Sequence, residues 1–270
     1  MSKTAEIYYP SGETERHFVK SIWRLHEYNI HKITETILPK GTVEIIFNLS
    51  DDITYFNPNL PNGQKLPNCF INGINFKPFK LIKNGQQVFL GIQLNAIGLK
   101  VLFDMPAMEF NDNIYEGWLV CKSLDSLSQQ LFYKKSFNEQ VEAILRWINE
   151  RISVSRANKT LPQVCKLFYS KSLHDLTVKN LCKETFFSDR HLRRLSNEWL
   201  GMNTETFIQY NKYLASLHLL HRSDLSLTQV GLQAGYYDQS HFIREFKSFT
   251  DLTPKAYQTS INYLPGHIFD

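Results

Sequence analysis

The pattern of hydrophobic and polar residues divides the chain into a first part with strand periodicity and a second part with helix periodicity. Up to about residue 120, apolar side chains recur at every second position, as in Val43, Ile45 and Phe47 and again over residues 88–94. A period of two is typical of a strand with one buried face. We therefore predict an α+β domain, rich in β-strands, over residues 1–120.

Turn signals interrupt this first part at two places. Asn84-Gly85 separates two apolar runs and predicts a hairpin turn, because both residues tolerate a positive φ. Residues 57–67 contain three prolines and a glycine, which predicts a surface loop. Further on, residues 96–103 predict one short helix that ends before Pro106.

From residue 123 to about residue 156 the apolar period becomes helical. Ser136 and Glu139 have the spacing of a capping box, in which each side chain satisfies a free amide at the helix start. Behind the cap, one apolar stripe contains Phe137, Val141, Ile144, Leu145, Ile148 and Ile152. The stripe packs either on the chain's own β domain or on a second copy. Residues 121–157 are therefore interpreted as a helical linker, with dimerisation left open.

Residues 158–260 contain an internal repeat. A shift of 50 places His191 on His241 and Arg194 on Arg244, whereas the preceding helices match at a shift of 49, as for Leu176 on Leu225. One residue is therefore inserted in the turn between the matched pieces. Each copy is predicted to form a short helix, a tight turn and a second helix, which is a helix-turn-helix unit.

Capping residues support the predicted helix boundaries. The predicted N-caps are Thr177, Ser188 or Asp189, Ser226 and Asp238. Gly235 is predicted to end a helix in the left-handed conformation, and Gly231 to permit close approach of the next helix. Residues 261–270 are left as a tail.

A single long helix is predicted to join the two units. Its inward positions are Phe207, Tyr210, Leu214, Leu217 and Leu220. About seventeen residues at a rise of ~1.5 Å give roughly 25 Å. Adjacent major-groove faces of DNA are about 34 Å apart, so the two lengths are compatible. The C-terminal part is thus predicted to be all-α.

Arginines occupy the polar face of the predicted second helix of the first unit. Arginine near a helix N-terminus is unfavourable for the helix dipole, but a guanidinium can donate two hydrogen bonds to guanine. An isolated arginine face is more often merely solvated. The recurrence of arginine at the same position of both units, Arg194 and Arg244, favours base contact instead.

Composition adds limits to this interpretation. The chain has 270 residues, 43% hydrophobic and 21% charged, which are values of a globular protein with room for two domains. The formal net charge of +4 permits an anionic partner without demanding one. The four cysteines are dispersed, and His17, His26 and His31 lack metal-ligand spacing, so no metal or cofactor is expected. No apolar run suggests a signal peptide or membrane span, which predicts a cytoplasmic protein.

Residues 159–257 resemble the DNA-binding domain of the AraC/XylS family of bacterial transcription regulators. The resemblance rests on Ser188-Asp189-Arg190-His191-Leu192, on Gly201, on residues 235–247 and on Thr253-Pro254 with Tyr257. The chain departs from the family pattern at Ser196, where phenylalanine is usual, and at Asp251, where glycine is usual. Further departures are Lys212, Ser216 and Gly231. The N-terminal part is similar to a non-cupin domain found in other members of the family.

The resemblance implies which side chains meet DNA. In the first unit they are Arg190, Arg193 and Arg194, and Asn197, on the same polar face of the helix, is a further candidate. In the second unit they are Gln239, Ser240, His241 and Arg244, with Lys247 and Ser248 nearer to phosphate.

Three functional hypotheses follow. The first is a sequence-specific transcription regulator that binds double-stranded DNA, with a small-molecule effector or a homodimer interface in the N-terminal domain, and with RNA polymerase as a partner if it is an activator. The second is an enzyme, which requires an activated cysteine such as Cys69 in a cleft; we expect no catalytic site. The third is an N-terminal module that binds a partner protein. An enclosed apolar pocket with a few convergent polar groups would favour an effector over a partner protein.

Overall fold

A computed structural model describes residues 2–50, 53–169, 177–222, 224–261 and 266–269. Leu176, which the repeat aligns with Leu225, lies outside the described residues, as do residues 262–265 of the predicted tail. The predicted fold class is confirmed, because a β-rich N-terminal part is followed by an all-α region with a long helix between two shorter helix pairs.

The N-terminal part is an antiparallel sheet. Its described strands are β1 (Ser2–Tyr8), β2 (Val19–Ile37), β3 (Val43–Asn48), β4 (Thr54–Asn57), β5 (Leu60–Lys65), β6 (Cys69–Asn72), β7 (Phe79–Leu94), β8 (Ile114–Glu116) and β9 (His267–Phe269). The main path runs β1-β2-β7-β3-β6-β8; β4 pairs with β5 and β7, and β9 pairs with β2. One face of the sheet packs on helices, and the other carries a second apolar cluster.

The predicted hairpin at Asn84-Gly85 is wrong. Gly85 does adopt a positive φ of 68°, but it lies inside the continuous strand β7. The pairing between β7 and β2 is irregular at this point, since the register of the two strands shifts between Asn29 and Ile33 of β2. A glycine with positive φ therefore serves a bulge in a long paired strand, where the chain bends without reversing.

The predicted loop over residues 57–67 is also wrong in its central part. Residues Leu60–Lys65 form β5, which is the outer strand of a hairpin with β4. Pro61 is tolerated there because β5 is an edge strand that pairs only with β4. A proline has no N–H to donate, and at an unpaired edge no partner strand needs that hydrogen bond.

Strand β3 departs from the predicted alternation. All six residues of Val43–Asn48 are buried, so both faces of this strand are covered. Ile45 and Phe47 belong to the cluster on the helix side, and Ile46 to the cluster on the other side. The period of two is therefore present in β3. Alternate residues face two different apolar clusters, however, and neither face of the strand is exposed to solvent.

The described helices are α1 (Ile97–Phe103), α2 (Gly117–Val120), α3 (Ser123–Tyr133), α4 (Phe137–Val154), α5 (Leu161–Tyr169), α6 (Val178–Thr185), α7 (Asp189–Leu200), α8 (Thr204–Arg222), α9 (Leu227–Gln233), α10 (Gln239–Thr250) and α11 (Pro254–Thr259). Short 3-10 helices occupy Glu15–His17, Ala107–Phe110 and Arg156–Lys159.

Helix α4 begins at the predicted capping box. Ser136 accepts a hydrogen bond from the Glu139 amide at 3.2 Å, and Glu139 accepts one from the Ser136 amide at 3.0 Å. The predicted apolar stripe packs against α1 and α3 of the same chain, and Trp147 extends it. This stripe is therefore used within the chain. Dimerisation through residues 121–157 stays a prediction.

The segment predicted as a tail returns to the N-terminal sheet. Strand β9 pairs antiparallel with β2, with Phe269 opposite Glu35 and His267 opposite Ile37. The chain thus ends its described part against the sheet with which it begins.

Candidate nucleic-acid interface

Two helix pairs, α6–α7 and α9–α10, form the predicted helix-turn-helix units. The side chains of Thr177 and Ser226 cap α6 and α9, and those of Ser188 and Asp238 cap α7 and α10. The first pair of caps is separated by 49 residues and the second by 50. The inserted residue therefore lies in the turn, as the repeat predicts, and Ser188 is the cap at the position left open between Ser188 and Asp189.

The apolar faces of the units are packed as predicted. Leu192 and Trp199 are buried under α7, and Phe242, Phe246 and Phe249 under α10. Gly231 provides close approach, since a Cβ there would lie 3.1 Å from the Cβ of Phe242. The second recognition helix, α10, is thereby held firmly on α9.

Ser196 occupies the position at which the family usually has phenylalanine. The side chain is fully buried, and its hydroxyl lies 2.9 Å from that of Thr204, which is also buried. A hydrogen-bonded pair therefore satisfies both hydroxyls in this core.

The polar face of α7 presents the four predicted side chains, but they differ in their contacts. Arg190 and Arg194 are exposed, and Arg190 makes no side-chain hydrogen bond or ion pair within the described residues. Arg193 is bound to Asp189 at 3.0 Å and to Glu205 at 2.9 Å. Asn197 is half-buried. The guanidinium groups of Arg190 and Arg194 are therefore the more accessible pair.

The polar face of α10 presents a row of exposed residues. Ser240, Arg244 and Lys247 lie one turn apart on one side, and in the described chain the side chains of Arg244 and Lys247 have no ion-pair partner. Gln239 accepts a hydrogen bond from the Thr228 hydroxyl at 2.8 Å. His241 is half-exposed, beside Tyr236. Gln239 is thus positioned by the preceding helix, whereas Arg244 is free to reach a ligand.

Helix α8 joins the units, as predicted. Its 19 residues correspond to about 28 Å at ~1.5 Å per residue. Phe207, Tyr210, Leu217 and Leu220 are buried and Leu214 is half-buried. The sequence analysis missed Tyr213, which is fully buried and stacks on Phe249 at 4.9 Å. Tyr213 links the linker helix directly to α10.

The N-terminal part contacts the linker helix and the C-terminal ends of both recognition helices. Tyr210 and Tyr213 donate hydrogen bonds to the carbonyls of Asn75 at 2.8 Å and Pro39 at 2.9 Å. Lys77 donates to the Ser248 carbonyl at 2.8 Å and pairs with Asp251.

The corresponding contact of α7 involves its C-cap. Asn111 donates a hydrogen bond to the carbonyl of Gly201, and Lys100 pairs with Glu198 at 3.0 Å. The C-terminal ends of α7 and α10 are therefore anchored on the N-terminal part, while their N-terminal halves remain exposed.

Two exposed aromatic residues border the recognition helices and were not predicted as site residues. Phe186 is 94% exposed and Tyr237 is 89% exposed, each in the turn of its unit. Phe186 also adopts a left-handed φ of 58°, which is unfavourable for a bulky residue. At the shift of 49 it aligns with Gly235, whose φ is 85°.

Replacing Phe186 by glycine is expected to raise the free energy of unfolding by about 0.5–1 kcal/mol, because glycine adopts a positive φ without steric cost. Urea unfolding of the two proteins measures the difference. Phe186→Ala is the control, since it removes the exposed ring but keeps a Cβ in the left-handed conformation; it should not stabilise. Equal stabilisation by both substitutions would exclude backbone strain as the cause.

Comparison with families of known proteins agrees with this geometry. Residues 181–260 match the family described as Helix-turn-helix domain, and residues 9–116 match the Domain of unknown function (DUF6597). Residues 181–260 are therefore a helix-turn-helix domain of the AraC type, and the predicted resemblance is confirmed, with a domain of unknown function in the N-terminal part.

The individual curated relatives have low sequence identity to this chain. An uncharacterized HTH-type transcriptional regulator of Staphylococcus aureus (strain N315) is 26% identical over 135 residues, which cover 50% of this chain and 18% of that protein. A second, from Haemophilus influenzae, is 23% identical over 115 residues, covering 43% of this chain and 39% of that protein. The matches thus span well under half the length of these relatives.

Solved structures with a related arrangement include ToxT from Vibrio cholerae. It superposes with a TM-score of 0.46 at 12% identity, over 96% of this chain and 98% of that chain. A transcriptional regulator from Chromobacterium violaceum, described as containing an AraC-type DNA-binding domain, has a TM-score of 0.34 at 20% identity, over 38% of this chain and 93% of that chain.

None of the helices in the described ranges is long and apolar enough to span a membrane. Within the same ranges, His, Cys, Asp and Glu side chains form no group suited to a metal ion.

Proposed function

We propose that the protein is a transcription regulator that binds double-stranded DNA and reads two neighbouring major-groove segments, one with α7 and one with α10. The observation that carries this proposal is the exposed arginine at the same position of both recognition helices, Arg194 and Arg244. Each lies on the face opposite a buried stripe, where a guanidinium can reach a base edge.

Selection of genomic fragments by the purified chain tests the proposal. Bound fragments are sequenced, and the affinity of the best one is compared with that of random DNA by fluorescence anisotropy at one fixed salt concentration. We expect enriched fragments with two short motifs about one helical turn apart, and tighter binding to them than to random DNA. Equal affinity for enriched and random fragments would exclude sequence-specific recognition.

We infer further that the N-terminal part controls DNA binding. Its contacts with Tyr210 and Tyr213 hold the linker helix, and its own Lys77 and Asn111 hold the C-terminal ends of the two recognition helices through Ser248 and Gly201. Any shift of these contacts changes the angle between the two recognition helices, on which simultaneous insertion into DNA depends.

Strand β9 provides a route for this control. Gly266 donates a hydrogen bond from its amide to the Tyr257 hydroxyl at 3.1 Å, and Tyr257 packs on Phe246 beneath α10. The next residue, His267 of β9, contacts the sheet: its Nδ1 lies 2.6 Å from a carboxylate oxygen of Glu35 in β2. A change at the sheet can therefore act on the core of the second unit through a few contacts.

Control by a small-molecule effector is favoured over control by a partner protein, because the sheet carries a mainly apolar, partly open cavity on which charged groups converge. Cys69 gives no support to the enzymatic alternative: burial raises its pKa to about 12, so that little nucleophilic thiolate exists near neutral pH. A homodimer, and contact with RNA polymerase if the protein is an activator, stay predictions.

A further inference from the structure

The cavity of the N-terminal sheet has a volume of about 450 Å³, which is within the range of small-molecule sites. Its walls are mainly apolar and include Trp23, Leu25, Ile46, Phe70, Phe79 and Phe89. Gly91 leaves room for this wall, because a Cβ there would overlap the indole ring of Trp23. An occupant therefore contacts mostly hydrocarbon and aromatic surface.

Lys20 enters this cavity through a β-bulge. The register between β2 and β7 shifts between Val19 and Ser21, which leaves Lys20 as the extra residue. Val19 belongs to the cluster on the helix side, yet both Lys20 and Ser21 line the cavity. Regular alternation would place Lys20 on the helix side with the even-numbered Ile22. The bulge instead places Lys20 on the cavity side of the sheet, where it is one of the lining residues.

Lys20 differs from the other charged side chains that line the cavity. Lys83 is bound to Glu27 and Glu35, Arg24 to Glu6, and Lys40 lies 3.3 Å from His267 and 3.9 Å from Glu44. In the described part of the chain, Lys20 has no hydrogen bond or ion pair.

The environment of Lys20 leaves a positive charge available to a ligand. The Lys20 side chain lines the cavity and is partly exposed. Desolvation by the surrounding atoms lowers its pKa, the carboxylate of Glu44 raises it, and the charge of Lys40 lowers it. Two lysines thus share one carboxylate at this end. The opposite cluster around Lys83 is closed, because Lys83 is bound to both Glu27 and Glu35 and all three side chains are buried.

We propose that the cavity binds an organic monoanion with an apolar body, whose carboxylate or similar group is bound by Lys20. The charged group completes the coordination of an ammonium that has no protein partner, and the apolar body covers the aromatic wall. A neutral apolar molecule leaves the ammonium unpaired, and a cation is repelled by it. This inference names the effector class for the control proposed above and rests on that proposal for its biological meaning.

Three probes of nearly equal shape test the assignment: phenylbutyrate, phenylbutanol and phenylbutylamine, which carry a negative charge, no charge and a positive charge. Calorimetric titration of the full chain should give roughly tenfold or tighter binding of the acid than of the alcohol, and weaker binding of the amine. Quenching of tryptophan fluorescence should accompany binding of the acid and be lost in Trp23→Phe.

The variant Lys20→Met should weaken binding of phenylbutyrate by roughly tenfold and leave phenylbutanol unchanged. Lys80→Met is the matched control, because Lys80 is exposed on β7 outside the cavity; it should change neither affinity. Binding of the alcohol or amine as tight as that of the acid would overturn the assignment. So would an unaltered affinity in Lys20→Met, or no binding of any probe.

The same protein samples separate the two proposals. If enriched DNA is bound specifically but no acid binds in the cavity, the effector class is wrong and the DNA-binding proposal stands. If the acid binds through Lys20 but no DNA is recognised, the cavity assignment stands and the regulator proposal is wrong. Because calorimetry reports directly on the cavity, neither result depends on a change in DNA affinity.

Discussion

Alanine in place of Arg194 or Arg244 is expected to weaken binding to the best genomic fragment by about 1–3 kcal/mol each, or roughly 5- to 150-fold, if each guanidinium makes a bidentate base contact. Binding to random DNA should change much less, because a lost base contact affects recognition more than phosphate attraction. Since the two residues lie in different units, the losses should add in the double variant. Anisotropy titrations at one salt concentration measure all three.

Two further arginines provide controls for this prediction. Arg146→Ala removes an exposed arginine from α4, far from both recognition helices in the sequence, and should leave affinity unchanged. Arg193→Ala should have a smaller effect than Arg194→Ala, because Arg193 is already bound to Asp189 and Glu205. Specific affinity that survives in both Arg194→Ala and Arg244→Ala would contradict the proposed base contacts.

The helical half of the fold was largely predictable from local sequence. Ser188, Ser226 and Asp238 each cap the helix that follows, because a short polar side chain satisfies a free amide wherever the next residues are helical. Such signals depend on three or four neighbouring residues only. In the structure, Ser188 and Asp238 are counterparts 50 residues apart, which decides the choice between Ser188 and Asp189 that the sequence left open.

The sheet was harder to predict because its features depend on distant partners. Asn84-Gly85 is compatible with a hairpin or a bulge, and the choice is made by β2, which pairs along the whole of β7. Pro61 suggests a loop until β5 is known to be an edge strand. Lys20 carries no local signal of its role, since the bulge that directs it exists only in the paired sheet.

The candidate site was predicted in its exposed part and missed in its support. Arg194 and Arg244, whose contact with DNA stays a prediction, are detectable from periodicity and repetition, because exposed positions repeat with the unit that carries them. Tyr213 and Lys77 are not repeated, and their roles come from packing of the N-terminal part on α8 and α10. The contacts between the N-terminal part and these helices are therefore visible only in three dimensions.

Methionine in place of Lys83 is expected to lower the free energy of unfolding by about 3–5 kcal/mol near neutral pH, as measured by urea denaturation. The Lys83 ammonium is almost completely buried and lies 3.1 Å from Glu27 and 2.9 Å from Glu35, whose carboxylates are equally buried. Removing the ammonium group leaves two negatively charged carboxylates buried without the cation that they share. Lys80→Met, on the exposed side of the same strand, should change stability by only about 0.5 kcal/mol or less.

The loss in Lys83→Met is expected to shrink as the pH falls, and this dependence identifies its cause. In the native protein, burial raises the pKa of Glu35, but the hydrogen bond from His267 and the charge of Lys83 outweigh it and lower the pKa from 4.5 to about 2. The ionised Glu35 therefore stabilises the native fold above pH 4.5, and this contribution is lost as the pH falls towards 2.

Because the native protein loses the stabilisation by ionised Glu35 between about pH 4.5 and pH 2, the difference in the free energy of unfolding between the two proteins should narrow below about pH 4.5. A gap that stays constant with pH would point to lost packing of the lysine stem as the cause. Adding Glu27→Gln and Glu35→Gln to Lys83→Met should recover much of the lost stability at neutral pH, because neutral amides carry no unpaired charge into the interior. Recovery in that triple variant would show that the cluster is stabilised as a unit, with each charge required by the others.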